Sequence, residues 1–140
     1  LHIRMIQHSR NADYLARKFR DYGLKFNYPG MEDHPGHQKL KDIMNPEFGF
    51  GGMISIDMGT SERAARLMEM MERAGVGYLA VSLGYFKTLF SNSGKSTSSE
   101  VPEEIQREMG LSEGLVRFSV GLDHNIEETW QKIKTCLDQM

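Results

Sequence analysis

Arg117 is the residue of this sequence whose surroundings most clearly call for a binding partner. It lies within Leu115–Val120, where apolar and polar residues alternate as in a strand, and the alternation places it on one face with Leu115 and Ser119. A guanidinium in an apolar strand needs an anion, because burying an unpaired charge is unfavourable. An internal carboxylate would make this an ion pair. A ligand carboxylate would make it a binding site with two parallel hydrogen bonds. The strand itself leaves both open.

Two glycine-containing segments have the composition of nucleotide-binding loops but not their context. Gly94–Thr97 ends like a phosphate-binding loop, yet that motif needs its first glycine at Leu89 and an apolar helix afterwards. We interpret it as a polar loop bordering a site, with nucleotide binding as the weaker alternative. Gly49–Gly52 precedes a strand instead of following one, which indicates a close backbone approach and not a dinucleotide turn.

The histidine and cysteine residues give weak signals for chemistry. His34 and His37 are three residues apart, but Pro35-Gly36 between them predicts a turn, and a metal site needs three or four convergent ligands. We expect solvated turn histidines and no metal. Cys136 falls in the predicted last helix, where a small buried thiol is ordinary.

Composition excludes several classes of protein. The chain has 140 residues, enough for one domain, with 39% hydrophobic and 26% charged residues. Its net charge of −2 provides no positive field for nucleic acid or an anionic membrane, so neither is expected as a partner. No apolar run approaches the roughly 18 residues of a transmembrane helix, and no signal peptide is evident. A single cysteine is typical of a reducing compartment, here the cytoplasm.

The elements that must position Arg117 alternate between helix and strand. We predict helices over 1–22, 37–44, 60–74, 102–110 and 125–137, strands over 24–28, 53–58, 78–81, 88–90 and 115–120, and a polar loop over 91–99. The strand over 78–81 is expected to be buried, and Pro102 to be a first helical residue. Together they predict an α/β (α+β) two-layer sandwich, a small sheet with helices mainly on one face. Leu1 starts a helix without a capping residue, which indicates part of a longer chain.

Several stretches, in order, resemble the C-terminal domain of the Cys/Met-metabolism pyridoxal-phosphate enzymes. That family includes cystathionine γ-synthase, the cystathionine lyases, methionine γ-lyase and the O-acylhomoserine sulfhydrylases. The stretches are Tyr28-Pro29-Gly30 with His34-Pro35 and His37, Gly49–Met53, Ser82-Leu83-Gly84 and Leu115–Leu122. The start, Arg4–His8 with Asn11-Ala12, is similar to the segment that precedes this domain in those enzymes.

The resemblance implies the small domain of a fold-type I enzyme. Residues 1–22 would be a connecting helix and residues 23–140 the small domain. The large domain, with the Schiff-base lysine and most contacts to pyridoxal 5'-phosphate, would lie elsewhere in a homodimeric or homotetrameric enzyme. No residue of this chain is then expected to be catalytic or to bind the cofactor, and the 140-residue chain alone should be inactive.

The resemblance also assigns roles to residues. Arg117 matches the arginine that binds the substrate α-carboxylate, and Ser82, with Leu83 beside it, matches a serine of the same pocket. Thr97 falls near a threonine that supports the arginine, although the methionine and histidine that usually flank it are absent.

Val81 bears on the substrate. The position before Ser82 is often acidic in enzymes that act on cystathionine, and apolar Val81 cannot pair a distal ammonium. We therefore predict γ-elimination of methionine. The alternatives are cystathionine γ-lyase, cystathionine γ-synthase or O-acetylhomoserine sulfhydrylase activity, and, from another class, a stand-alone amino-acid-binding module without a cofactor.

Overall fold

Helices and strands alternate along the part of the chain that the structure, a computed structural model, describes: residues 1–93 and 100–140. The helices are α1 (His2–Tyr22), α2 (His37–Ile43), α3 (Ser61–Arg73), α4 (Glu103–Glu108) and α5 (Ile126–Asp138). The strands are β1 (Phe26–Asn27), β2 (Met53–Asp57), β3 (Gly77–Leu79), β4 (Thr88–Asn92) and β5 (Leu115–Ser119). Within these ranges no helix is long and apolar enough to cross a membrane.

The strands form one mixed sheet in the order β1-β2-β5-β4-β3. The pairs β1–β2, β2–β5 and β4–β5 are antiparallel, and β3–β4 is parallel. The strand that carries Arg117 is therefore central, with Ser55 of β2 and Ser91 of β4 directly opposite Arg117 on either side. A central strand is held by two ladders of hydrogen bonds, which makes it a rigid support for a side chain.

The hydrophobic core lies between one face of the sheet and helices α1, α3 and α5. Phe118 of β5 and Phe19 of α1 are fully buried there, with ring centroids 5.8 Å apart, and Phe19 also packs edge-on against Trp130 of α5. Since neighbouring residues of a strand point to opposite faces, Phe118 in the core places Arg117 on the face away from the helices. This confirms the predicted two-layer architecture.

Local signals placed three helix ends correctly. Gly23 ends α1 with a left-handed φ of 89°, and the hydroxyl of Thr60 accepts a hydrogen bond from the Arg63 backbone N–H at 3.3 Å. The Asn125 side chain caps α5 in the same way, at 3.2 Å from the Glu128 nitrogen.

Three local predictions were wrong. The segment over 78–81 is not buried, because β3 is an edge strand in which Tyr78 and Leu79 are 48% and 44% exposed. The strand β4 continues through Ser91 and Asn92, both buried, where a polar loop was expected. Pro102 precedes α4 as its N-cap residue and is not its first helical residue.

Candidate functional site

The candidate site is the sheet face away from the helices, around Arg117. Ser55, Arg117 and Ser91 form one row across β2, β5 and β4, and their side chains share this face because they are in register. Arg117 and Ser55 are half-buried, whereas Ser91 is only 5% exposed. An arginine flanked by a buried serine hydroxyl is suited to hydrogen-bonding a ligand.

The Arg117 guanidinium contacts neutral oxygen atoms. Its Nη2 donates to the Val81 carbonyl at 2.7 Å and lies 3.4 Å from the Ser82 carbonyl. Among the described residues no carboxylate forms an ion pair with Arg117. The described residues therefore do not form the internal ion pair that was one of the two predicted alternatives. Carbonyl oxygens orient the guanidinium without cancelling its charge, which leaves it able to bind an anion.

The segment over 80–86, which we call the 80–86 loop, is anchored at several points although its side chains are exposed. The Gly84 backbone N–H donates to the Ser119 hydroxyl at 3.0 Å, and Arg4 Nη2 donates to the Gly84 carbonyl at 2.7 Å. The Leu122 N–H donates to the Phe86 carbonyl at 2.7 Å. The loop therefore has a fixed backbone beside Arg117, while Val81 is 60% and Leu83 58% exposed.

Two buried polar atoms at this site lack a partner. Within residues 1–93 and 100–140, the buried side-chain oxygen and nitrogen atoms without a hydrogen bond are Ser91 Oγ and Arg117 Nε. Buried polar groups nearly always have a hydrogen-bond partner. An unpaired donor and an unpaired acceptor in one row of the sheet therefore indicate a position where a further hydrogen bond can form.

Asp57 fixes the start of β5 at the other end of the site. Its carboxylate, with a side chain 14% exposed, accepts from the Ser112 hydroxyl, from the Gly59 backbone N–H at 2.9 Å and from Lys25 Nζ at 3.1 Å. Burial by itself raises the pKa of Asp57, but these hydrogen bonds and the Lys25 charge outweigh it, and the net pKa lies below its ordinary value. The ionised carboxylate thus links the end of β2 to the turn before β5.

Packing and hydrogen bonding account for three residues that the sequence singled out: His34, His37 and Gly52. His37 stacks on Phe50 with centroids 4.6 Å apart, and its Nδ1 lies 2.8 Å from the Pro29 carbonyl. His34 Nδ1 accepts from the Gly36 backbone at 2.9 Å, which holds the turn. Gly52 packs so closely on α1 that a Cβ there would lie 3.1 Å from His8 Cβ, as expected of a close backbone approach.

Cys136 is buried on α5, as predicted, and burial raises the pKa of its thiol. A raised pKa keeps the sulfur protonated and unreactive. The thiol is therefore part of the core.

The structure brings together some of the predicted site residues and adds others. Arg117, Val81 and Ser82 meet directly, with Leu83 next along the same loop. Thr97 and the Gly94–Thr97 loop lie outside the described residues. Sequence reasoning missed Ser91, and it missed the loop contacts of Ser119 and Arg4. The alternation in β5 was the signal for Ser119, whereas Thr88–Asn92 does not alternate and gave no such signal for Ser91.

Comparison with known proteins decides the family. A model of the family described as Cys/Met metabolism PLP-dependent enzyme matches residues 1–138. The chain belongs to this family. The resemblance stated from the sequence motifs is thereby confirmed.

Relatives in the Cys/Met metabolism family include more than one activity. The chain is 44% identical to a methionine gamma-lyase of Arabidopsis thaliana and 36% identical to a cystathionine beta-lyase of Lactococcus lactis, over 100% and 99% of this chain. A cystathionine gamma synthase of Xanthomonas oryzae, solved with aminoacrylate and cysteine, superposes with a TM-score of 0.81 at 27% identity over 95% of this chain. The chain spans about a third of each protein: 32%, 35% and 33%.

The described residues do not by themselves make a pyridoxal-phosphate site. The cofactor is held through a lysine and a phosphate cradle, whereas the buried side-chain atoms without a hydrogen-bond partner among the described residues are Arg117 Nε and Ser91 Oγ.

Proposed function

We propose that residues 1–140 form the domain that binds the substrate carboxylate in a pyridoxal-phosphate-dependent enzyme of sulfur amino acid metabolism. The observation that carries the proposal is Arg117, which projects from the central strand onto the open sheet face with its charge unneutralised by the described residues. A guanidinium can hold a carboxylate by two parallel hydrogen bonds, which fixes both position and orientation. Membership of the Cys/Met metabolism family supports an amino acid as the ligand.

Each residue of the site has a separate part in this proposal. Arg117 binds the carboxylate, and the Val81 and Ser82 carbonyls orient its guanidinium. Ser82 and Leu83 border the same pocket from the 80–86 loop. Pyridoxal phosphate, held by the rest of the enzyme, supplies the electron sink for the reaction. This chain orients the amino acid and carries out no proton transfer.

Methionine is the proposed substrate, with γ-elimination as the reaction. The Val81 side chain is 60% exposed beside Arg117 and offers an apolar contact and no charge to the distal part of a ligand. A thioether suits such a contact, whereas the distal ammonium of cystathionine would lose hydration without gaining a partner. The 44% identity to a methionine gamma-lyase supports this choice.

The rest of the enzyme is proposed to cover part of this surface. Tyr78, Leu79, Val81, Leu83, Tyr85 and Phe86 are large apolar residues within nine positions, and each is between 44% and 60% exposed. A contiguous apolar patch usually marks a contact surface. In our proposal this chain, with residues 1–22 as the connection, packs against its own large domain in a cytoplasmic homodimer or homotetramer.

Replacing Arg117 tests the carboxylate assignment. In the full-length enzyme, Arg117→Lys keeps the charge but loses the two-pronged geometry, so we expect kcat/KM for the amino acid to fall about 10- to 100-fold, a loss of about 1.5–3 kcal/mol. The matched control is Arg107→Lys, an exposed arginine on α4 in an ion pair with Glu103, which should leave kcat/KM unchanged. Equal kinetics for Arg117→Lys and wild type would contradict the assignment.

A substrate panel tests the reaction. Full-length enzyme with added cofactor should release thiol and 2-oxobutyrate from methionine faster than it processes cystathionine or O-acetylhomoserine, and the 140-residue chain alone should do neither. Val81→Glu should raise the cystathionine-to-methionine ratio of kcat/KM by roughly tenfold, since a carboxylate can pair the distal ammonium. Ile43→Glu, at a 76% exposed apolar position at the end of α2, is the control. A wild-type preference for cystathionine would replace methionine γ-elimination by one of the alternative activities.

A further inference from the structure

The path of the Arg117 side chain passes over strand β4. Arg117 starts on β5, and its Nη2 reaches the Val81 and Ser82 carbonyls, which follow β3 in the chain. In the sheet order β4 lies between β5 and β3. The side chain therefore crosses β4, and the β4 residue directly opposite Arg117 is Ser91. Residues paired in this way have Cβ atoms about 4.5–5.5 Å apart.

Ser91 Oγ and Arg117 Nε are complementary and both unpaired. Arg117 Nε is a hydrogen-bond donor, and a serine hydroxyl has two lone pairs that can accept. Both atoms are buried and have no hydrogen-bond partner among the described residues. Ser91 as a whole residue is 5% exposed. Both hydrogen bonds of Arg117 come from Nη2 at the far end of the guanidinium. The near end of the guanidinium, at Nε, forms no hydrogen bond with a described residue.

We propose that Ser91 is a positioning residue for Arg117, whose hydroxyl accepts a hydrogen bond from Nε, directly or through one water, when a carboxylate is bound. This inference rests on the proposed function, since it assigns the guanidinium to a ligand carboxylate. A carboxylate arriving at the two terminal nitrogens shifts the guanidinium relative to the Val81 and Ser82 carbonyls. The Ser91 bond then fixes the Nε edge and leaves Nη1 and Nη2 as the pair that faces the carboxylate. Ser91 thereby selects which edge of the guanidinium binds the ligand.

The test measures the affinity of the full-length enzyme for two ligands, for methionine from initial rates and for the amine from its competitive inhibition of methionine turnover. The ligands are methionine and 3-(methylsulfanyl)propylamine, the same molecule without its carboxylate. We expect Ser91→Ala to weaken methionine binding about tenfold and to leave amine binding unchanged. KM for methionine should rise by a similar factor with little change in kcat, because the lost bond serves ligand positioning. Ser91→Thr, which retains the hydroxyl, should restore methionine binding.

The controls separate this inference from the proposed function. Thr135→Ala removes a hydroxyl on the exposed face of α5, away from Arg117, and this variant should bind both ligands as wild type does. If Ser91→Ala matches Thr135→Ala, or weakens both ligands equally, Ser91 does not position Arg117. If Arg117→Lys also leaves methionine binding unchanged, the carboxylate assignment itself fails. Should Ser91→Ala not fold, Ser91→Cys, whose thiol is a weak acceptor, is expected to show the same selective loss, and wild-type binding by that variant would overturn the inference.

Discussion

The guanidinium of Arg117 is oriented by carbonyl oxygens and keeps its full charge. The Val81 carbonyl accepts from Nη2 at 2.7 Å, and such a bond sets the plane of the group without neutralising it. A carboxylate of the protein itself in the same place would have neutralised the guanidinium and competed with a ligand carboxylate. The bonds to the loop therefore leave Arg117 both ordered and ready for an anion, which is the combination that ligand binding requires.

Asp57 offers a residue-scale prediction of pH dependence. Ser112→Ala removes one hydrogen bond to the Asp57 carboxylate and should lower the free energy of unfolding by about 1 kcal/mol at pH 7. The folded pKa of Asp57 lies below its unfolded value. Its contribution is therefore complete above the unfolded pKa of about 3.9 and is lost as pH falls through the folded pKa.

Urea unfolding at several pH values checks this prediction. The difference between wild type and Ser112→Ala should be constant between about pH 5 and 8 and should shrink below about pH 4. Thr135→Ala is the control, because the Thr135 hydroxyl donates to the Gln131 carbonyl on an exposed helix face and meets no titrating group in that bond. A Ser112→Ala difference that stays the same at low pH would show that Asp57 ionisation does not stabilise this corner.

At the scale of elements, Arg117 and Ser119 of strand β5 anchor the 80–86 loop at two places. Arg117 binds its beginning at Val81, and the Ser119 hydroxyl accepts from the Gly84 N–H at 3.0 Å. Both side chains project from the same face of one rigid strand, two residues apart. The loop geometry next to Arg117 is thus set by the central strand of the sheet.

Removing the Ser119 hydroxyl should loosen this loop. We expect Ser119→Ala to speed amide hydrogen exchange over residues 81–85 in the full-length enzyme, and to weaken amino-acid binding about fivefold, because an unpaired Gly84 N–H costs about 1 kcal/mol. Exchange measured by mass spectrometry tests this, with Ser55→Ala on the same sheet face as control. Unchanged exchange over 81–85 would mean that other contacts, such as Arg4 to the Gly84 carbonyl, suffice to hold the loop.

Elements with strong local signals were predictable from sequence, and those decided by neighbours in the sheet were not. The caps at Thr60 and Asn125 and the left-handed Gly23 each act within one helical turn, so the sequence alone reveals them. The exposure of β3 depends on its place at the sheet edge, which its apolar residues do not encode. Ser91 looked like loop because its neighbours are polar, yet pairing with β5 makes it part of a buried strand.

The candidate site was predictable only in part, for the same reason. Alternation in β5 identified the sheet face on which Arg117 lies. The atoms that its guanidinium contacts belong to Val81 and Ser82, more than thirty positions away. The sequence of β5 therefore could not show whether an internal carboxylate pairs with Arg117. The family motifs were needed to connect these segments. Within the motif segment over 28–52, the Gly51 N–H bonds to Ser9 Oγ on α1, and the His37 ring bonds to the Pro29 carbonyl of the same segment.

For the whole molecule, the described chain spans about a third of its relatives' length, and the proposed carboxylate site lies on the sheet face that its own helices leave open. The exposed apolar residues of the 80–86 loop lie beside that site. In the proposed enzyme the ligand is held between this face and the rest of the polypeptide. The central claim, that Arg117 binds the ligand carboxylate, can therefore be tested only in the full-length enzyme.

The most direct test is a crystal structure of the full-length enzyme with a bound amino acid. We expect both carboxylate oxygens to lie about 2.7–2.9 Å from Nη1 and Nη2 of Arg117, as charge-assisted hydrogen bonds do. An amino acid bound with its carboxylate on other residues, while Arg117 remains on the Val81 and Ser82 carbonyls, would contradict the account.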